Sequence, residues 1–162
     1  MFRFISFIKF LFTSNNQHGI HSPFVYDYIT KCLYHQKNIK LNKTLTVFVK
    51  SINYFKYKSI FLVGDYKSSE ELIKQHCANI STVENNPDII LTNINDLKSI
   101  NLNTLSNDCM LLLDGIHQNQ KNLEIWKNLK AESHVKVTID MFYCGAVFFR
   151  REQVKEHFKI RI

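Results

Sequence analysis

Apolar residues change their spacing part-way along this chain, and the change divides it. In MFRFISFIKFLF at the start, Phe4, Phe7, Ile8 and Leu11 recur at helical spacing, with Arg3, Ser6 and Lys9 elsewhere on the wheel. The pattern predicts a helix that packs this apolar face on the body of the protein; a helix lying on a membrane surface is the alternative. The stretch is too short to span a bilayer and lacks the small-residue cleavage site of a signal peptide. Ser22-Pro23 has the form of a helix start, serine as N-cap and proline at the first helical position. Phe24, Val25, Tyr28, Ile29, Cys32 and Leu33 follow at helical spacing. A further helix is predicted over 44–55, with Leu45, Phe48, Val49, Ile52 and Phe55 on one face. Residues 1–57 thus read as an amino-terminal helical region.

From residue 58 the apolar residues come in short continuous runs. SIFLVGD (59–65), ISTVEN (80–85), PDIILTN (87–93) and CMLLLDGIH (109–117) read as strands, separated by predicted helices over 68–78 and 118–131. Serine caps and acids open the first of these helices; Leu123, Trp126 and Leu129 face inward on the second. HVKVTIDMF (134–142) and GAVFFR (145–150) look like paired strands around Tyr143-Cys144-Gly145, and HFKIRI is a last strand. Runs apolar on both faces, alternating with helices, indicate an α/β fold with a mostly parallel sheet between helices. Residues 58–162 form that core, within one compact domain. Ligands of such sheets bind beyond the carboxyl ends of the strands, where strand order reverses. The polar residues at those ends are Gly64, Asp65, Glu84, Asn93 and Asp114 to His117, and the fold would gather them along one edge.

Length and composition agree with this: 162 residues fit one domain, and 45% apolar with 22% charged residues is ordinary for a globular protein. Charge adds something. The net charge of +7 is concentrated in residues 1–60, which hold nine lysines and arginines against the single acid Asp27. A basic first third suits an anionic partner, although solvated lysines are the plainer explanation. Without a K/R cluster or an RNA-binding signature, nucleic acid is not expected. The four cysteines, Cys32, Cys77, Cys109 and Cys144, form no CxxC pair. They read as reduced core residues of a cytoplasmic protein.

Strand, glycine turn, helix, strand, acidic residue is the layout that holds an adenosine. With a hairpin closing the sheet, the chain resembles the class I S-adenosylmethionine-dependent methyltransferases. More narrowly it is similar to a bacterial subgroup, through NQHGIHSPFVYDYITKC (16–32), NDCMLLLDGIH (107–117) and VKVTIDMFYCGAVFFRREQVKEHFKIRI (135–162). The resemblance implies a Rossmann-like methyltransferase sheet with a carboxyl-terminal antiparallel hairpin. It departs from the family in places. Leu62 takes the place of an acid at the first strand and Ser68 that of a second glycine. The chain runs from Glu84 directly to Pro87-Asp88, so the family's third strand is expected to be missing. Asn93-Ile94 replaces Asp-Gly, and Asp114-Gly115-Ile116-His117-Gln118 replaces Asp-Asp-Ile-His-Trp.

What the resemblance implies is S-adenosylmethionine as cofactor, bound by Gly64, Asp65, Glu84 and Asn93, with Glu84 on the ribose hydroxyls. Asp114 and His117 are the catalytic candidates. Histidine titrates near neutrality and suits a general base on a hydroxyl nucleophile; a supporting histidine is the plainer reading. Asn93 and Asp114 offer oxygen to a hard cation, but with Gly115 in place of the second aspartate no metal is expected. His18 and His21 lie in a loop before a helix, without a carboxylate or cysteine nearby, and read as part of a lid. The function expected is methyl transfer to an unknown acceptor. The alternative is a catalytically inactive relative that keeps the fold to bind a partner.

Overall fold

The structure is a computed structural model that describes residues 1–15, 19–35 and 39–162. Helix α1 (Phe2–Thr13) leads into a loop, then α2 (Pro23–Asp27), which continues as a π-helical stretch, Tyr28–Leu33. Ser22 caps α2 as its sequence predicts: its hydroxyl accepts from Val25 N, and Pro23 occupies the first turn. The inward side chains are Val25, Tyr28, Ile29, Cys32 and Leu33. Helix α3 (Lys43–Phe55) is capped by Asn42, whose side chain accepts from Leu45 N at 2.8 Å. Tyr28 and Ser51 join the two helices through a buried hydroxyl pair at 2.7 Å.

The sheet contains seven strands: β1 (Ser59–Leu62), β2 (Ser81–Thr82), β3 (Ile89–Asn93), β4 (Met110–Asp114), β5 (Val137–Asp140), β6 (Cys144–Phe148) and β7 (Glu156–Lys159). Their spatial order is β2-β1-β3-β4-β6-β5-β7. β6 runs antiparallel to β4 and β5, whereas β1–β2, β1–β3, β3–β4 and β5–β7 are parallel. The fold is therefore mixed α/β with a mostly parallel sheet. Strand order reverses between β1 and β3, because β1 leads to β2 on one side while β3 lies on the other.

One face of the sheet, through Ile60, Leu62, Leu91 and Leu112, packs on α2, α3 and the helix α4 (Glu70–His76). The other face, through Ile90, Leu111, Leu113 and Val147, packs on Trp126 and Leu129 of α5 (Gln120–Ala131). The central strands are buried on both faces, which is why their sequences are continuously apolar. All four cysteines are buried, and burial pushes the thiols of Cys32 and Cys109 up to about 12.

Three local expectations are corrected. β2 is a two-residue edge strand with both residues exposed, so it ends before Glu84. The segment from Gly64 to Ser69 is a 3-10 turn, and α4 starts only at Glu70 without a side-chain cap bond from Ser69. Helix α1 turns a different face inward: Ser6 and Phe10 are buried, whereas Phe4, Ile8 and Leu11 are exposed. Asn15 then fastens the end of α1 to the sheet edge, its N–H donating to Lys159 O at 2.8 Å.

Candidate functional site

The parallel register places Leu62 beside Leu91, and Asn93 beside Asp114. Gly64, Asn93 and Asp114 therefore follow one another along the carboxyl edge. Gly64 turns the chain there with φ +65°, a conformation that costs other residues energy. Its open side is taken: a Cβ at this position would lie 2.6 Å from Asp96 Oδ2. The Asp96 carboxylate thus rests against the glycine turn, where β1 and β3 diverge. Asp65 is exposed, and its carbonyl accepts from the Ser68 hydroxyl at 2.7 Å. Asn93 spends its side-chain oxygen on Asn95, accepting from the backbone N at 3.0 Å and from Nδ2 at 2.8 Å.

Glu84 faces elsewhere. It lines a cavity of about 480 Å³ together with Phe61, Pro87, Ile90 and Asn101. Phe61 and Ile90 belong to the face that packs on α5, so this cavity opens on the side of the sheet opposite α3.

Asp114 and His117 share a different cavity, of about 570 Å³, walled by Arg3, Lys43, Thr44, Tyr66, Phe142 and Tyr143 among others. It sits between α1, the first turn of α3, the end of β4 and the β5–β6 turn. Gly64, Asp65, Glu84 and Asn93 do not line it. Asp114 Oδ1 accepts from the Thr44 hydroxyl at 2.5 Å. Burial, then the nearby Asp114 carboxylate, push the Tyr66 phenol far above its ordinary range. Tyr66 therefore stays protonated beside Asp114. Burial and Asp114 likewise raise the Cys144 thiol beneath the cavity. Two cations stand at the walls, Arg3 and Lys43, the latter 5.8 Å from the centre of the Tyr143 ring.

His117 is buried, with 6% of its surface exposed. Its Nε2 donates to Asp140 Oδ2 at 2.8 Å, and its Nδ1 lies 2.6 Å from Ser6 Oγ. In the neutral ring, donation from Nε2 leaves Nδ1 to accept from the Ser6 hydroxyl. Both nitrogens are thereby engaged. Asp140 Oδ1 also accepts from Phe142 N at 2.9 Å, which supports a residue held at φ +67°. Phe142 stacks on His117 at 4.9 Å, and Phe7 of α1 packs edge-on against Phe142 at 4.8 Å. His117 is thus the centre of a polar line that ties α1 to the β4–α5 loop and the β5–β6 turn. In this arrangement it positions the cavity wall and has no nitrogen free to accept a proton from a ligand.

Ser6, Thr44, Tyr66, Asp96 and Asp140 were not legible as site residues. Asp140 did leave a signal, a lone acid closing the otherwise apolar VTI of β5. Ser6 left another, a small polar residue in a phenylalanine-rich helix. His21 is exposed, and His18 lies outside the described residues. Among the described residues, no group of three or more His, Cys, Asp or Glu side chains is placed to hold a metal ion. Compared with family models, curated proteins and solved structures, the chain finds no match in any of the three.

Proposed function

We propose that this protein is a class I methyltransferase relative that binds S-adenosylmethionine at the β1–β3 divergence and a methyl acceptor in the Asp114 cavity. The observation that carries the reading is the sheet closure: β6 runs antiparallel between the parallel strands β4 and β5. This hairpin is the one the sequence resemblance implies. The edge position of the two-residue β2, followed closely by β3, accords with a sheet that lacks the family's third strand.

The residues fit the cofactor in part. Gly64, Asn93 and Asp114 are aligned for a ligand lying across the strand ends, and Glu84 lies near the end of β2, which pairs with β1 through Ile60 and Thr82. The Asp96 side chain must turn aside from Gly64 before a ligand can approach the backbone there. Bound S-adenosylmethionine supplies an electrophilic methyl group on a sulfonium. The chain's own contribution is alignment. Asp114, held by Thr44 with the Tyr66 phenol beside it, can orient an acceptor hydroxyl or amine and take its proton. Arg3 and Lys43 favour an acceptor that carries negative charge.

A second reading rests on Asp96 and Glu84: with the turn covered and the ribose acid on the opposite face, the chain is a non-catalytic methyltransferase-fold protein that binds a partner. Calorimetry with S-adenosylmethionine on the wild type and on Glu84→Ala and Asp96→Ala variants separates the two. Micromolar binding lost in Glu84→Ala supports the cofactor site. Binding that appears only in Asp96→Ala means that the site is present but closed. Absence of binding in all three folded proteins overturns the methyltransferase reading and leaves the partner-binding one.

A further inference from the structure

Helix α1 carries apolar residues on its outward side as well as its inward one. Its polar Ser6 points into the protein, bonded to His117, and Phe10 packs beside it against His117 and Phe142. Its outward side is Phe4, Ile5, Ile8, Leu11 and Phe12, which fall within about 120° of the helix circumference. Phe4 is 68% exposed and Phe12 88%. Exposed large apolar residues in a continuous stripe mark an interaction surface.

We infer that this stripe docks on an anionic membrane surface, with α1 lying in the interface. The charge around it selects that occupant. Beside the stripe α1 carries Lys9 and no acid, Arg3 being turned to the Asp114 cavity. Lys159 adds a second cation at its carboxyl end, its Nζ 3.0 Å from Thr13 Oγ1. The first acid in the sequence is Asp27, and it is paired with Lys31 at 2.8 Å. A second copy of the chain would bring Lys9 towards its own kind. The stripe is also small: twelve residues make a helix about 18 Å long and roughly 10 Å across. With Phe4 68%, Ile5 45%, Ile8 38%, Leu11 38% and Phe12 88% exposed, the stripe offers on the order of 500 Å² of accessible surface, short of the ~800 Å² per partner of a stable protein interface. A bilayer surface requires no matching shape, and phenylalanine and isoleucine flanked by lysine are what an interfacial helix uses. The helix is too short to cross the ~30 Å hydrocarbon core, so it lies on the membrane.

The test is flotation of the full chain with vesicles of phosphatidylcholine alone and with about one-third phosphatidylserine, alongside light scattering of the protein in solution. The expected result is binding to the phosphatidylserine vesicles that weakens as salt rises. Phe4→Ser with Phe12→Ser should lower the affinity at least tenfold. These side chains are exposed, so the thermal melt should stay unchanged. Lys9→Gln should cost roughly fivefold on anionic vesicles and leave the weak binding to phosphatidylcholine as it was. Failure of the wild type to float with anionic vesicles overturns the inference, as does flotation that the phenylalanine variant retains. A wild-type dimer that the phenylalanine variant converts to monomer also overturns it, because a second copy then covers the stripe.

Discussion

Asp140 is the residue whose removal tests the cavity wall most directly. It is 4% exposed. Its two oxygens accept from His117 Nε2 at 2.8 Å and from Phe142 N at 2.9 Å. In Asp140→Ala both donors stay buried and lose their acceptor. Each such loss costs about 1–3 kcal/mol, so the variant should be destabilised by roughly 2–6 kcal/mol. For a chain of this length, 1 kcal/mol corresponds to ~2–4 °C in Tm, and a fall of about 10 °C is the central expectation. Asp140→Asn should behave differently. Its side-chain carbonyl still accepts from Phe142 N, and its amide donates to Nε2 once the imidazole shifts its proton to Nδ1. Nδ1 then donates to Ser6 Oγ, and the line reverses without losing a bond. The Asn variant should therefore lie within about 1 kcal/mol of wild type. Urea unfolding followed by circular dichroism measures both. Equal damage from Asn and Ala would refute the reasoning, because it would make the carboxylate charge, and not the two acceptances, the stabilising feature. Near-neutrality of the Ala variant would refute it as well.

Three further outcomes are expected. Gly145→Ala places a Cβ 2.6 Å from Cη2 of the buried Trp126; this overpacking should cost about 1–3 kcal/mol in a thermal melt, and Trp126→Leu should relieve part of it in the double variant. Burial, then Lys130 and Lys155, hold the His157 imidazole below its ordinary value, so the unfolded chain takes up a proton more readily than the folded one. Stability should fall as pH drops through the ordinary histidine range, and His157→Gln should flatten that part of a pH series of urea midpoints. With burial holding the Cys32 and Cys109 thiols up at about 12, a thiol reagent at mildly alkaline pH should label them at the rate of unfolding, which mass spectrometry of the labelled peptides can follow.

The legible parts of the fold are those whose physics is local. Strands β3, β4 and β6 are apolar at nearly every position because both faces are covered, and a run of that kind has few other uses. The cap of Ser22 acts within three residues of itself. Helix α1 gave less, because apolar residues surround it almost completely and periodicity alone could not choose the buried face. That choice was made by Ser6 and His117, 111 positions apart. Glu84 was expected to close a strand, but β2 stops at Thr82, and the cavity Glu84 lines depends on that early stop. β2 is an exposed edge of two residues, and the turn after it passes through Asn86 at φ +50°. Neither property belongs to the apolar pattern from which the strand was read.

The same long-range contact sets what His117 can do. It was a candidate general base, with a supporting role as the plainer reading. A side chain buried to this degree with one neutral-ring donor and one acceptor is fully satisfied by one carboxylate and one hydroxyl, and Asp140 and Ser6 are those two groups. Freeing either nitrogen would leave a buried partner unpaired, at about 1–3 kcal/mol. Asp114 has no such obligation. It receives a hydrogen bond from Thr44 and faces the cavity with capacity left, since a carboxylate accepts about four. Under the proposed function, the proton of a ligand in this cavity is therefore assigned to Asp114, while His117 ties α1 to the sheet. That division ties the two surfaces of α1 together: Ser6 holds the helix against the cavity wall, Arg3 reaches the cavity itself, and the phenylalanines are left for whatever the helix lies upon.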